Sequence, residues 1–278
     1  MRLALYGAGA VSKSFIAGLP RLPRQLGPVA ASSYRLASRI VNSVRAGFAV
    51  KSLEGFEDEQ LILICVPDPA LAGVVRHLAA ARLDWFGREV LLCDSHYDSR
   101  ALDPLREQGA ETGSLKPIHS APGRFIVEGD RAVVRKAKHL LTELKARCVE
   151  FRREDMPLYG AGVTFASSIF TPLIAACLEC VTSACGDPAA AMRITEALFQ
   201  DSLRAFVHAG RKSWSGALAS GDRAVVKREL EALCASRPVL SRYYRDSSIF
   251  ALEWFGRHPE LLRQLHEAAL PGRRRSSH

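Results

Sequence analysis

Short, continuously apolar runs recur through the first half of the chain, separated by segments with helical spacing: "LALY" (3–6), "LILICV" (61–66) and "EVLLCD" (89–94) stand out. A strand that reads apolar at every position has both faces covered, which is the signature of a parallel sheet packed between helices. "PVAAS" (28–32), "FAVK" (48–51), "ETGSL" (111–115), "RFIVEG" (124–129) and "CVEF" (148–151) extend the series. Helical patterns fall between them, up to Leu19 and over 69–82, 99–108 and 131–146. Strands alternating with helices predict βαβ units, hence a doubly wound, mostly parallel sheet.

Beyond residue 155 nothing asks to be a strand. "YGAGVTFASSIFTPLIAACLECVTSACG" carries too many apolar positions for a surface helix and predicts a long central one, closed by Gly186. Asp187-Pro188 reads as a cap with proline at the first helical position, and Asp222 can cap the helix "RAVVKRELEALC". The expected fold class is therefore α/β followed by all-α: an α/β domain over 1–153, a helical domain over 154–270 and a basic tail over 271–278.

At 278 residues and 48% hydrophobic composition the chain can hold two ordinary domains. No apolar run is read as reaching the ~18–20 residues that cross a bilayer, and the N-terminus lacks a leader pattern. A cytoplasmic protein without a membrane partner is expected. The seven cysteines are odd in number and scattered through apolar stretches, which predicts reduced, mostly buried thiols. Cys177 and Cys180 have CxxC spacing inside a helical pattern, with no second pair to complete a zinc set, so no metal is expected. The formal charge of +9 suits an anionic ligand. With no aromatic residues interleaved in a basic stripe, nucleic acid is not an expected partner.

The first strand runs into Gly7-Ala8-Gly9-Ala10-Val11-Ser12, which matches a dinucleotide-binding fingerprint in its first two glycines. The first glycine allows the tight turn and the second lets backbone approach a pyrophosphate; Ser12 replaces the third as a small-for-small exchange. Gly7, Gly9, Ala10 and Val11 would cradle the pyrophosphate at a helix N-terminus. No Asp or Glu occurs from Val29 to Ile40, where an acid would select NAD. Ser32, Ser33 and Arg35, with Arg39 nearby, could instead hold the 2′-phosphate of NADP; Arg35 and Arg39 could equally be a solvated helix face. Val66-Pro67-Asp68 follows the buried fourth strand, either beside the nicotinamide or as a plain strand stop with a capped helix.

Together "YGAGAVSKSF", "LILICVPDPAL", "ETGSLKPIHS", "FIVEGD", "PLYGAGVTFASSIFTPLIAA" and "SGALASGD" give the chain a specific resemblance. It resembles the bacterial Rossmann-like proteins with a C-terminal helical domain of unknown function. These are related to ketopantoate reductase, pyrroline-5-carboxylate reductase and the 6-phosphogluconate-dehydrogenase superfamily. The resemblance implies NADP, a helical second domain that forms a homodimer, and reduction of a small acidic substrate, such as a ketopantoate-like 2-oxo acid or an imine, in a cleft between the domains. The chain also departs from the family. Lys116 replaces a His in Gly-Ser-Leu-His-Pro, Cys93-Asp94-Ser95-His96 replaces His-Thr-Ser-Gly, a Lys…Tyr-His pattern becomes Met156…Tyr159-Gly160, and a later Asn is Ser168. Either the substrate differs, or the chain is a cofactor-binding sensor or scaffold without turnover.

Reduction by a nicotinamide needs a proton donor and an anchor for the substrate. Lys116, after a strand and before Pro117, is the first candidate; His96 is the second and His119 the third. In the first long helix Thr164 and Ser168, four apart, share a face, with Ser167 adjacent and Tyr159 about one turn earlier. Lys116, His96 and Ser168 are thus the catalytic candidates, and Ser95, Tyr159 and Thr164 the candidate substrate contacts.

Overall fold

The computed structural model describes residues 2–118, 121 and 123–268; His119 and the 271–278 tail lie outside them. Two compact units divide at Val163/Thr164. In the first, β1 (Leu3–Gly7), α1 (Gly9–Ala17), β2 (Leu26–Ala30), α2 (Tyr34–Val44) and β3 (Phe48–Ala49) form one half of a sheet. The other half comprises β4 (Leu61–Cys65), α3 (Asp68–Ala79), β5 (Glu89–Cys93), α4 (Asp103–Arg106), β6 (Glu111–Pro117), β7 (Arg124–Gly129), α5 (Arg131–Glu143) and β8 (Arg147–Glu150). Among the described residues the eight strands order 3-2-1-4-5-6-7-8, and every neighbouring pair is parallel except β6–β7. The order reverses between β1 and β4, and open α/β sheets bind ligands at the carboxyl edge of such a switch point.

The continuous apolar reading of β1, β4 and β5 is explained by two cores. Because successive side chains alternate between sheet faces, Leu3, Leu5, Leu61, Leu63 and Leu91 meet Phe15, Ile40 and Leu140 on one side. Ala4, Tyr6, Ile62, Ile64 and Leu92 meet Leu71, Val75 and Trp85 on the other. The expected strands are present, with shifted edges. β2 comes two residues early, since Ser33 already caps α2 by accepting a bond from Leu36 N. The helix expected over 99–108 is a 3₁₀ turn, Ser99–Leu102, followed by the four-residue α4.

The second unit is helical: α7 (Phe170–Cys185), α8 (Pro188–Ala209), α9 (Ala217–Ser220), α10 (Arg223–Ser236), α11 (Pro238–Phe255) and α12 (Pro259–Glu267). The expected caps are in place, with Asp187 accepting from Ala189 N and Asp222 from Ala224 N and Val225 N. Gly186 closes α7 at φ 71°.

Three expectations are corrected here. The stretch expected to be a central helix comprises α6 (Met156–Thr164), a π turn at Phe165–Ile169, and α7. From Phe165 to Cys185 none of it is buried in the chain. Secondly, the helical stretch Arg153–Cys185 is long and apolar enough to cross a membrane, with mean hydropathy 1.7 in its most apolar window. Gly, Ser and Thr interrupt its apolar letters without adding charge, which hides its length. Thirdly, only Cys65 and Cys93 are buried; Cys180 and Cys185 are exposed because they lie on this uncovered stretch. The π turn has a local cause: Pro172 has no N–H for the carbonyl of Ser168 four residues back, and its ring crowds that carbonyl.

Candidate functional site

Gly7 ends β1 in register with Cys65, which ends β4. Ser12, in the first turns of α1, is fully buried. Its Oγ accepts from Ala8 N at 2.8 Å and donates to Cys65 O at 2.9 Å, and Ala8 N also reaches Cys65 O at 3.0 Å. Ser12 is therefore more than a small replacement for glycine: it ties the β1–α1 turn to the end of β4, across the switch point. A Cβ at Gly7 would lie 2.5 Å from Ser12 Oγ and 3.1 Å from Ile40 Cδ1, so the glycine and the serine depend on each other. Gly9, Ala10 and Val11 form the first turn of α1, where backbone N–H groups have no intrahelical partner. The turn holds no acidic residue and Ala8 offers no side-chain cap.

β2 pairs with β1 up to Tyr6↔Ala30, which brings Ser32, Ser33 and Arg35 to the same edge of the sheet. All three are exposed, as is Arg39. The hydroxyl of Ser33 is engaged as the α2 cap at 3.3 Å.

Across the switch point, Val66 is buried and Pro67 exposed. Asp68 opens α3 without capping it: its carboxylate turns to the segment after β5. Oδ1 accepts from Ser95 Oγ at 2.6 Å, and Oδ2 accepts from His96 N at 3.2 Å and lies 2.7 Å from His96 Nδ1. Burial raises the Asp68 carboxyl, but the bonds from Ser95 and His96 outweigh it and hold the group below its ordinary value. Ser95 Oγ also accepts from Tyr97 N at 3.1 Å. The chain enters this segment through Asp94 at φ 53°, a left-handed position that Asp tolerates.

Lys116, only 8% exposed, donates from Nζ to the carbonyls of Ser95 and Tyr97, the latter at 2.6 Å. Burial pushes its ammonium below the ordinary lysine value, and Glu128, Asp68, Asp98 and Asp94 oppose that shift. The lysine expected to act on substrate is thus a clamp on the backbone either side of His96. Behind it, buried Glu128 accepts from Ser99 N and Ser99 Oγ, each at 2.8 Å, and Arg153 Nε lies 3.5 Å from it. Arg153 also pairs with Asp130 at 2.9 Å. Sequence reasoning missed Glu128 and Ser99; the one signal was an acid set within the apolar strand "RFIVEG".

The structure therefore brings Asp68, Ser95, His96 and Lys116 together at the carboxyl ends of β4, β5 and β6. Tyr159, on α6, packs edge-to-face on Phe151 at 5.3 Å, and burial raises its hydroxyl. Thr164 and Ser168 are exposed in the second unit, with Ser168 inside the π turn that follows Thr164. Among the described residues no cluster of His, Cys, Asp or Glu suits a metal.

Residues 124–249 match the family described as a domain of unknown function, DUF2520. No curated protein matches the chain significantly in sequence. Among solved structures, a Thermotoga maritima protein superposes with TM-score 0.65 at 16% identity, covering 95% of this chain and 98% of its own. An imine reductase from Myxococcus stipitatus in complex with NADP+ gives 0.62 at 14%, covering 96% and 100%. The imine reductase BcSIRED from Bacillus cereus BAG3X2 gives 0.61 at 15%, covering 96% and 99%. The expected resemblance and fold class hold: residues 124–249 match the DUF2520 family, and along nearly its whole length the chain shares the Rossmann-plus-helical fold of these structures.

Proposed function

We propose that the chain is an NADPH-dependent oxidoreductase that reduces a C=O or C=N bond in a small acidic substrate, with ketopantoate-like 2-oxo acids and cyclic imines as the substrate classes. The carrying observation is the β1–α1 turn, locked by Ser12 at the switch point beside an acid-free β2 end. The fit to a dinucleotide is structural: the space a Cβ would take at Gly7 is closed by Ser12, which holds the turn in the tight form that lets backbone approach a pyrophosphate. Gly9, Ala10 and Val11 would meet the pyrophosphate, and Ser32, Ser33 and Arg35 the 2′-phosphate. Bound NADPH supplies the hydride. The fold likeness to an NADP+-bound imine reductase supports the same reading.

The partner in this proposal is a second copy of the chain, joined through the helical unit. On α8 the exposed apolar residues Leu198, Leu203, Phe206 and Val207 alternate with Glu196, Asp201 and Arg204, a mixture that fits a protein interface better than lipid. All seven cysteines are free, which supports work in a reducing, cytoplasmic setting.

Calorimetric titration with NADPH and NADH, followed by NADPH oxidation with a panel of 2-oxo acids and cyclic imines, tests the reading. Binding that prefers NADPH, weakened about tenfold in Arg35→Ala with NADH unaffected, supports it; no binding of either dinucleotide sinks it. A non-catalytic NADP-binding sensor is the second reading, favoured by one observation: the Lys116 ammonium is committed to backbone carbonyls. Tight binding without turnover across the panel would select it.

A further inference from the structure

Resting on the reductase reading, we infer that His96 is the proton donor of the reaction and that Asp68 and Lys116 are its positioning residues. The histidine is presented rather than merely exposed. Its side chain is 92% exposed, yet the ring and the backbone N–H of the same residue both address one oxygen, Asp68 Oδ2. The other Asp68 oxygen is fixed by Ser95 Oγ. The backbone carbonyls on either side of His96, those of Ser95 and Tyr97, are both held by Lys116 Nζ. A solvent-facing ring is thus anchored at Nδ1 on a carboxylate, while Nε2 is directed away from that anchor. A carboxylate on one ring nitrogen fixes the orientation of the other, as proton transfer requires.

Its place in the fold suits the chemistry. Asp68 begins the helix after β4, His96 follows β5, and Lys116 is the penultimate residue of β6, all at the carboxyl edge that carries the Gly7 turn. A dinucleotide held with its pyrophosphate at the Gly7 turn would extend across the switch point, and the residues beyond β4 would then lie on its nicotinamide side. When the carbon of a C=O or C=N bond gains a hydride, the π electron pair settles on oxygen or nitrogen. That atom takes the proton from Nε2 of protonated His96; the N–H bond breaks, its electrons stay on the ring, and solvent returns a proton. The charged group on the ring is Asp68 on α3; Lys116 on β6, which holds the backbone either side of His96, has Glu128 on β7, Asp68, Asp98 and Asp94 as its charged neighbours.

The full-length chain and its His96→Gln and Asp68→Asn variants are compared for NADPH affinity by fluorescence titration, and for kcat, KM and pH–rate profile on the substrate the wild type reduces best. In His96→Gln, NADPH affinity stays within about threefold, kcat falls about 100-fold or more, and the alkaline limb of the profile disappears. In Asp68→Asn, kcat falls about tenfold with KM little changed, and the midpoint of that limb moves, which a purely structural role would not produce. A His96→Gln enzyme with kcat within about threefold of wild type, or with its alkaline limb intact, overturns the assignment while leaving the reductase reading standing. A wild type that binds NADPH but reduces nothing in the panel also overturns it. Failure of the wild type to bind NADPH is read from the titration alone and removes the reductase reading beneath it.

Discussion

The strand-bearing unit and the helical unit use similarly apolar sequence to opposite ends. Every residue of β1, β4 and β5 is buried, because helices of the same unit cover both sheet faces. From Phe165 to Cys185 no residue is buried, although this stretch belongs to a helical run apolar enough to cross a membrane. The first unit completes its core within itself. The second gathers only a small core around Val226, Leu230, Leu252, Leu261 and Leu265, and leaves the α7–α8 pair, joined by Phe170 edge-to-face on Phe199 at 5.2 Å, with an apolar outer face. Hydrophobicity by itself therefore does not locate a core; the layer that covers it does.

The largest effect that would break this contrast lies on α8. If the outer face is a subunit interface, Leu203→Asp with Val207→Asp, at positions 65% and 78% exposed, converts a dimer to a monomer in light scattering. The loss is about 3 kcal/mol or more of association free energy, with helical content retained. A wild type that is already monomeric removes the interface.

A second prediction sharpens the other side of the comparison, where packing is complete. Gly7→Ala drives a Cβ into Ser12 Oγ and costs about 1–3 kcal/mol, with NADPH binding weakened at least tenfold. Ser12→Ala breaks the tie to Cys65 O and costs about 1–2 kcal/mol. Denaturant melts of the double variant should show less than the sum of the two losses, since each change removes the other's clash or partner.

Next in size, Lys116→Met removes two charged hydrogen bonds to Ser95 O and Tyr97 O but also relieves the burial of an ammonium. The net loss is about 2 kcal/mol in urea titration, with the 94–98 segment exchanging amide protons faster.

The smallest effect concerns acid. Asp68 and Asp98 are both held below the ordinary carboxylate value, Asp98 chiefly by the Arg100 guanidinium beside it. A depressed carboxyl stabilises the fold above its unfolded pKa of about 3.9 and loses that contribution as pH falls through its folded value. Asp68→Asn should therefore lower stability near neutrality by less than about 1 kcal/mol, with the difference from wild type fading as pH falls below about 4, so that the acid limb of the curve is flatter.

Much of the fold was legible in the sequence because burial on both faces of a parallel strand writes itself as an unbroken apolar run. The caps at Asp187 and Asp222 were legible because short acidic side chains bond the N–H groups just ahead of them. The Gly7 turn was legible from its spacing. The candidate site was legible only in pieces: Asp68, Ser95, His96 and Lys116 were each singled out, but for separate roles. That Asp68 grips His96, or that Lys116 spends its charge on the backbone beside it, depends on residues 19 to 28 apart in sequence becoming neighbours. The π turn that holds Ser168 has a local cause that the sequence did contain, Pro172, whose effect is felt four residues back.

The sequence by itself determined the order of strands and helices, the glycine turn and the acid-free end of β2, because these follow from local sterics and from alternating burial. Only the tertiary structure decided that Ser12 is a lock, that His96 is the presented ring and Lys116 its clamp, and that the apolar stretch Phe165–Cys185 holds no buried residue. Those depend on which side chains the sheet register brings within about 3 Å of one another, a distance that no spacing along the chain encodes.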